Sequence, residues 1–182
     1  EILGVVEFLP NIVGIAMVRE MAPLLTGVVL SGFAGASIAS EIGSMKVSEE
    51  LHAYESFSIS PTRYLLAPRL LGIAIAAPLV TALGFYIGIG GGLVIAEGIL
   101  GMEWGQYLAR TAAALKVEDV VLGLVKGEVF GLTVVSIAWF EGSRVTGGAL
   151  GVGRATTAAV VKSVVAVIAA DLFLTVLFYQ IG

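Results

Sequence analysis

The stretch LLGIAIAAPLVTALGFYIGIGGGLVIA, residues 70–96, decides the fold, because it holds no charged residue over 27 positions. A bilayer core about 30 Å thick is crossed by about 20 helical residues, so this stretch is long enough to span a membrane. Residues 21–40 form a second uncharged run of 20 residues. Transmembrane β-strands alternate apolar and polar residues, which neither run does. Both runs therefore predict membrane-spanning helices.

The composition agrees with this interpretation. Of the 182 residues, 58% are hydrophobic and 13% are charged, and the mean hydropathy is +1.00. Soluble domains carry about 25% charged residues. Two further apolar stretches, at about 120–140 and 156–179, bring the expected number of spans to four. We expect an all-α polytopic helical bundle in which residues 1–182 form a single transmembrane domain.

Several function classes are excluded by what the chain lacks. It has no cysteine, which excludes disulfides and thiolate-bound metals, and its net charge of −4 comes without a basic run that would suggest nucleic acid. The lone His52 lies in a charged loop, where neither a hydrolase nor a metal site can be assembled around it. The glycine-rich segment 148–156, GALGVGRAT, lacks the Lys-Ser/Thr pair of a phosphate-binding loop and predicts a flexible loop before a helix. We expect no catalytic residue, no metal and no cofactor.

The longest polar interruption is residues 41–69, between two predicted spans. Ser48 is expected to cap a short helix whose first turn contains Glu49 and Glu50, where the helix dipole favours acidic side chains. Ser60-Pro61 predicts the start of the next helix. Helical spacing places an apolar stripe on the short helix, formed by Val47, Leu51 and Tyr54 and extended by Phe57.

The first apolar stretch is expected to turn at Pro10-Asn11 and then to run as a helix over about residues 12–40. Pro23 removes a backbone hydrogen bond and predicts a kink. Beyond Pro23, small residues recur at every fourth position, in a pattern that lets two membrane helices approach closely. This small-residue ridge consists of Gly27, Ser31, Gly35, Ala39 and Gly43. It indicates either packing within the chain or a seam between two copies.

Arg19 and Glu20 form an adjacent charged pair inside the first apolar helix, and Asp171 is the deepest acidic residue in the last one. Intramembrane charges are costly unless they are paired or face water, so they are candidates for function. The alternative for Arg19 and Glu20 is that they lie near the membrane interface and extend towards water. Neighbouring helical residues point about 100° apart, so these two are expected to have different partners. Asp171 is expected to form an ion pair with Arg154 or Arg19, or to contact a ligand directly.

The basic residues predict an orientation. With four spans, the first and third loops share a side, and six basic residues fall there against three in the middle loop. The positive-inside rule therefore places the first and third loops in the cytoplasm. The six are Lys46, Arg63, Arg69, Arg144, Arg154 and Lys162, and the three are Arg110, Lys116 and Lys126.

Two long segments resemble the MlaE-type permease family, the membrane subunits of phospholipid ABC transporters. Residues 19–71 read REMAPLLTGVVLSGFAGASIASEIGSMKVSEELHAYESFSISPTRYLLAPRLL, and residues 151–179 read GVGRATTAAVVKSVVAVIAADLFLTVLFY. Phe33 departs from the family, whose members usually carry Arg there. Against the family's five spans, the chain is expected to lack an N-terminal interfacial helix and a first span.

The resemblance implies a function and a set of partners. A homodimer in the bacterial inner membrane would bind two cytoplasmic ABC ATPases, which use the ATP, and a periplasmic MCE-domain protein would exchange phospholipid with it. Arg19 and Glu20 match a pair beside the family's lipid cavity, and Arg154 matches the Arg of its GRATT motif; with Asp171 they form the expected lipid-binding set. Segment 44–60 would be the coupling helix that enters an ATPase groove through Val47, Glu50, Leu51 and Tyr54.

Two other function classes remain open from the residues alone. An ion- or proton-coupled secondary transporter or channel would use Arg19 and Asp171 as an ion pathway and would need no ATPase. A structural membrane scaffold would transport nothing.

Overall fold

The computed structural model describes the backbone of residues 2–181 and the side chains of residues 8–180, and the regular structure in this part of the chain is helical throughout. The helices are α1 (Ile2–Ala16), α2 (Ala22–Leu30), α3 (Ala36–Val47), α4 (Glu50–Ser56), α5 (Ala67–Gly98), α6 (Trp104–Ala114), α7 (Val117–Ser143) and α8 (Gly148–Ile181). Three π-helical segments join or precede them, at Met17–Met21, Ser31–Gly35 and Thr62–Leu66.

Four helical segments of the described chain are long and apolar enough to cross a membrane: Phe8–Val47, Thr62–Gly98, Val117–Ser143 and Gly148–Gln180. We refer to Phe8–Val47, which runs from α1 through α3, as the first span. The prediction of an all-α bundle with four spans is confirmed. The predicted start of the second span at Ser60-Pro61 is correct to within two residues.

The turn predicted at Pro10-Asn11 is wrong, because α1 continues through both residues. In an apolar environment a helix is the local structure that satisfies most backbone groups, and this outweighs the single bond that proline cannot donate. Helix α6 packs against this part of α1. The Thr111 hydroxyl donates a hydrogen bond to the Pro10 carbonyl oxygen at 3.3 Å.

Two of the π-helical segments end just before a proline. The amide of Ala22, next to Pro23, bonds the carbonyl of Met17, and the amide of Ala67, next to Pro68, bonds the carbonyl of Thr62. Proline has no amide hydrogen and its ring crowds the preceding turn, and the wider π turn accommodates both effects. The distortion expected at Pro23 thus takes the form of a widened turn at residues 17–21.

The third π-helical segment, Ser31–Gly35, lies within the small-residue ridge. Four residues of α-helix advance about 400°, so a strict four-residue repeat drifts by about 40° at each step. A π turn holds more residues than an α turn and offsets this drift. All five ridge residues are consequently buried on one side of the helix.

The ridge packs within the chain, against α7 and α8. A Cβ atom at Gly27 would lie 2.7 Å from Val167 Cγ1 and 3.1 Å from Phe130 Cβ, so only glycine permits this approach. Further along, Ala39 packs with Ala138 and Ala159. Of the two alternatives for the ridge, the structure therefore shows intrachain packing, and a seam between two copies is excluded from this face because its residues are already covered.

The short helix of the polar loop differs from its prediction in two ways. Ser48 does not cap it, because α3 extends to Val47 and Ser48 follows its end. Glu49 then adopts a left-handed conformation, with φ of 63°, which separates α3 from α4. The predicted apolar stripe requires Val47, Leu51 and Tyr54 to share one helix. The turn at Glu49 instead separates Val47, at the end of α3, from Leu51 on α4.

Helix α8 begins earlier than predicted. Residues 148–153, expected to belong to a glycine-rich loop, form its first turns, and the connection from α7 is only residues 144–147. On the opposite side of the bundle, α6 buries Tyr107 completely against the ends of α1 and α5. Burial raises the pKa of the Tyr107 phenol above its ordinary value, because the charged form would lose its hydration.

Candidate functional site

Lys126 is a buried cation inside α7, and its side chain is only 3% exposed. Its Nζ donates a hydrogen bond to Glu20 Oε2 at 2.6 Å and another to the Thr175 hydroxyl at 2.8 Å. Asp171 Oδ1 lies 3.0 Å from the same nitrogen, as an ion pair outside hydrogen-bond geometry. One ammonium group therefore connects the first span, α7 and α8.

Helix geometry explains why these side chains meet. Asp171 and Thr175 are one turn apart on α8, and the Thr175 hydroxyl lies 2.8 Å from the Asp171 carbonyl oxygen. Glu20 lies in the widened turn at residues 17–21, beside a close approach of α7 to the first span. At that approach, a Cβ atom on Gly123 would collide with the carbonyl oxygen of Val18.

Arg19 has a different partner, as expected for its position next to Glu20. Its Nε lies 2.9 Å from Asp119 Oδ1, in the first turn of α7. The carboxylate of Asp119 is 8% exposed and also accepts a hydrogen bond from the Lys116 amide at 2.9 Å. Asp119 therefore both caps α7 and holds the guanidinium group.

A small cavity of about 80 Å³ opens beside these ion pairs. Its charged lining residues are Arg19, Glu20 and Lys126, and its other lining residues are Leu122, Thr175, Phe178 and Tyr179. We call it the charged pocket. The side chains of Arg19 and Glu20 are 49% and 42% exposed, so an arginine and a carboxylate are the accessible charges of the pocket.

The pocket lies in the half of the bundle that contains α6. Lys126 is nine residues after Val117, about 14 Å along the helix, and seventeen residues before Ser143, about 26 Å. The connection from α7 to α8 and the short helix α4 are at the other end. The predicted orientation would place the pocket in the periplasmic half of the membrane.

The structure brings together three of the four residues expected to bind lipid. Arg154 is the exception, because it lies on α8 seventeen residues before Asp171, about 26 Å away. It is exposed and lines a separate open groove that includes Lys162. The ion pair predicted between Asp171 and either Arg154 or Arg19 is wrong, since Asp171 pairs with Lys126.

Sequence reasoning missed Lys126 and Asp119 as members of the site. The sequence assigns Lys126 to the middle loop because it lies near the start of the third apolar stretch, where the polar interruption ends. It is buried on the same face of α7 as Gly123, Gly127 and Phe130. That periodicity was a signal in the sequence that Lys126 points into the bundle.

The residues expected to couple to an ATPase are only partly accessible. Leu51 is 6% exposed, so it is not free to enter a groove on another protein. Tyr54 is half-buried, with its ring centroid 5.4 Å from that of Tyr64. Val47 and Glu50 are exposed, and so is Phe57, which extends the apolar surface at this end of the bundle.

The polar side chains that line the pocket are suited to bind a polar or charged group. Among the described residues, no group of three or more His, Asp or Glu side chains is arranged to hold a metal ion. The site offers a guanidinium group, a carboxylate and a hydroxyl between otherwise apolar spans, and two aromatic rings are among its lining side chains. Such an arrangement has the chemistry to bind a charged group that carries apolar chains.

Comparison with known proteins finds one matching family and several similar proteins. The family described as Permease MlaE matches residues 1–177. A probable ABC transporter permease protein of Rickettsia typhi is 37% identical over 171 residues, which cover 94% of this chain and 66% of the relative. The intermembrane phospholipid transport system permease protein MlaE of Haemophilus influenzae is 30% identical over 175 residues, covering 96% of this chain and 67% of the relative.

A plant protein is also similar. The chloroplastic protein trigalactosyldiacylglycerol 1 of Arabidopsis thaliana is 33% identical over 180 residues, covering 98% of this chain and 51% of the relative. This chain therefore spans about two thirds of the length of the bacterial relatives and about half of the plant relative. With a family match over nearly all of its residues and a four-span helical bundle, the chain is a multi-pass membrane protein that belongs to the MlaE permease family.

Proposed function

We propose that this chain is the membrane subunit of an ABC transporter that moves phospholipid between the bacterial inner membrane and a periplasmic MCE-domain carrier protein. The charged pocket is the observation that supports this proposal most directly. A phospholipid needs polar contacts for its headgroup and an apolar surface for its acyl chains. The pocket offers the polar contacts, and the exposed apolar side chains of the surrounding spans offer the surface. The names of the relatives are consistent with the same substrate class.

Arg19 is the residue we assign to the headgroup phosphate. Its guanidinium group is half exposed and is held in place by Asp119 at 2.9 Å. Arginine binds phosphate with parallel hydrogen bonds, and such bonds are stronger where water is scarce. Lys126 is enclosed by two carboxylates and holds the three helices together.

The ATPases of the transporter would bind at the opposite end of the bundle. Val47 and Phe57 are exposed there, beside the acidic first turn of α4. Because Leu51 is buried, we propose that Phe57 and Val47 make the apolar contact, while Leu51 fastens α4 to the bundle. ATP-driven movement would then reach the pocket through the first span, which runs continuously from Phe8 to Val47.

The test is native mass spectrometry of the complete complex after mild solubilisation, with Arg19→Gln compared against wild type. Wild type should be recovered with phospholipid, and the variant should lose most of it. Arg63→Gln is the matched control, because Arg63 is exposed in the π-helical segment Thr62–Leu66 at the other end of the bundle. Equal lipid retention by a folded Arg19→Gln complex would refute the role of Arg19 in binding lipid.

A second candidate function is an ion- or proton-coupled transporter. The buried Lys126 with two carboxylates favours it, because such clusters within spans also occur along ion pathways. Reconstituted protein would then show a current or a proton-dependent flux without an ATPase. Co-purification of an ATPase whose activity depends on lipid and is abolished by Phe57→Asp would favour the lipid transporter instead.

A further inference from the structure

The buried charges around the pocket are already matched with one another. Lys126, at 3% exposed, and Asp171, at 16% exposed, lie 3.0 Å apart. Asp119, at 8% exposed, is bound to the Nε of Arg19. A ligand that enters the pocket therefore meets the outer face of the Arg19 guanidinium and the free side of the Glu20 carboxylate.

These two accessible groups have opposite signs. Arg19 and Glu20 are neighbours in the widened turn, but they are held by different partners and so remain separate charges. Glu20 uses Oε2 for its 2.6 Å bond to Lys126, and Thr175 lies 3.4 Å from both of its oxygens. Glu20 Oε1 therefore makes only this long hydrogen bond among the described residues and can accept a further one.

The cluster as a whole carries an excess of negative charge. Two cations, Arg19 and Lys126, are joined to three carboxylates, those of Glu20, Asp119 and Asp171, which gives a net charge of −1 when all are ionised. A headgroup with a net negative charge brings a second negative charge into this site. A headgroup that carries its own cation does not.

We propose that the charged pocket selects zwitterionic phospholipids with an ammonium headgroup over anionic phospholipids. The phosphate lies on Arg19, and the ammonium group lies on Glu20. The rings of Phe178 and Tyr179, which line the pocket, provide additional electron-rich surfaces for the cation. This inference rests on the proposed function, since it concerns the headgroup of the lipid that the pocket would bind.

The experiment uses the complete transporter complex in nanodiscs that contain equal amounts of phosphatidylethanolamine and phosphatidylglycerol. After exchange into detergent, native mass spectrometry measures the ratio of the two lipids that stay bound. In wild type, phosphatidylethanolamine should be enriched over the bulk mixture. Glu20→Gln should lower this ratio by up to about fivefold, since an exposed ion pair contributes at most about 1 kcal/mol.

Two further variants make the result specific. Glu97→Gln, at an exposed position near the end of α5 on the same side of the bundle, should leave the ratio unchanged. Glu20→Asp keeps the charge and should retain most of the enrichment. If the amount of bound lipid is normal, a wild-type ratio equal to that of the bulk would overturn the inference. An unchanged ratio in Glu20→Gln would overturn it as well. Loss of all bound lipid in wild type would instead count against the proposed function itself.

Discussion

Lys126 supports the charged pocket because one buried ammonium group compensates two carboxylates on different helices. Taking a charge out of water costs several kcal/mol, and the cost is recovered only when close partners are present. Glu20 at 2.6 Å and Asp171 at 3.0 Å are such partners. The negative charges of both carboxylates are therefore compensated by this one lysine.

Replacing Lys126 with methionine should destabilise the fold by about 3–5 kcal/mol, because two carboxylates would be left without their cation. Urea unfolding of the purified complex, followed by circular dichroism, measures this loss. Lys162→Met is a close control, since Lys162 forms a 2.7 Å bond to Glu141 but is 59% exposed. That exposed pair should contribute about 1 kcal/mol or less. Equal losses in the two variants would show that burial of Lys126 is not the cause.

At this scale the sequence predicted which residues belong to the charged cluster better than it predicted their partners. Arg19, Glu20 and Asp171 are recognisable because charges are rare in apolar helices. Their partners, Asp119 and Lys126, lie about 100 residues from Arg19 and Glu20 in the chain. Such pairs depend on how the helices pack, which local patterns do not specify.

At the scale of helices, the close approach of α7 to the first span positions the pocket. Gly123 faces the backbone of Val18, next to Arg19 and Glu20. The absence of a side chain at Gly123 allows Asp119 and Lys126, about one turn away on either side, to reach those two residues.

Gly123→Ala should therefore push α7 away from the first span and weaken both ion pairs. The added methyl group meets a backbone carbonyl, which cannot turn aside as a side chain can, so we expect a loss of about 1–3 kcal/mol. Thermal unfolding of the purified complex measures it. Gly90→Ala is the control, because a Cβ atom there meets nothing within 4 Å, and alanine favours a helix. A Gly123→Ala variant as stable as Gly90→Ala would contradict the proposed packing.

The helices themselves were largely predictable, whereas their ends were not. Long uncharged runs can be satisfied only as helices in a membrane, so four spans followed from the sequence. Pro10 and the glycines of residues 148–153 are turn signals in soluble proteins, and here they lie within helices. The turn at Ser48 and Glu49 arises from a left-handed residue that has no glycine to mark it.

At the scale of the whole molecule, the four spans determine which connections between helices share a side of the membrane. The connection at residues 144–147 must lie on the same side of the membrane as α4, and α6 must lie on the other side. The basic residues favour the cytoplasm for the side that holds α4 and residues 144–147.

The chain has no cysteine, so single introduced cysteines report orientation without background. Glu55→Cys and Thr146→Cys, both at exposed positions, should be blocked only by a thiol reagent that enters the cytoplasm. Gln106→Cys, exposed on α6, should react with an impermeant reagent added to the periplasm. Labelling of Glu55→Cys and Thr146→Cys from opposite sides would refute the four-span arrangement.

The wide turn at residues 31–35 has a consequence for how this chain tolerates changes in length. Deleting one residue there would return the segment to an ordinary α-helix and leave the two halves of the first span facing as they do now, because the π turn holds one residue more than the α turn that would replace it. Arg19 and Glu20 would still face α7, and Ala39 and Gly43 would stay in place. A one-residue deletion in an α-helical part of the span would instead rotate its two halves by about 100° relative to each other. The wide turn is therefore a place where a lineage could lose a residue and still keep the packed face of this helix.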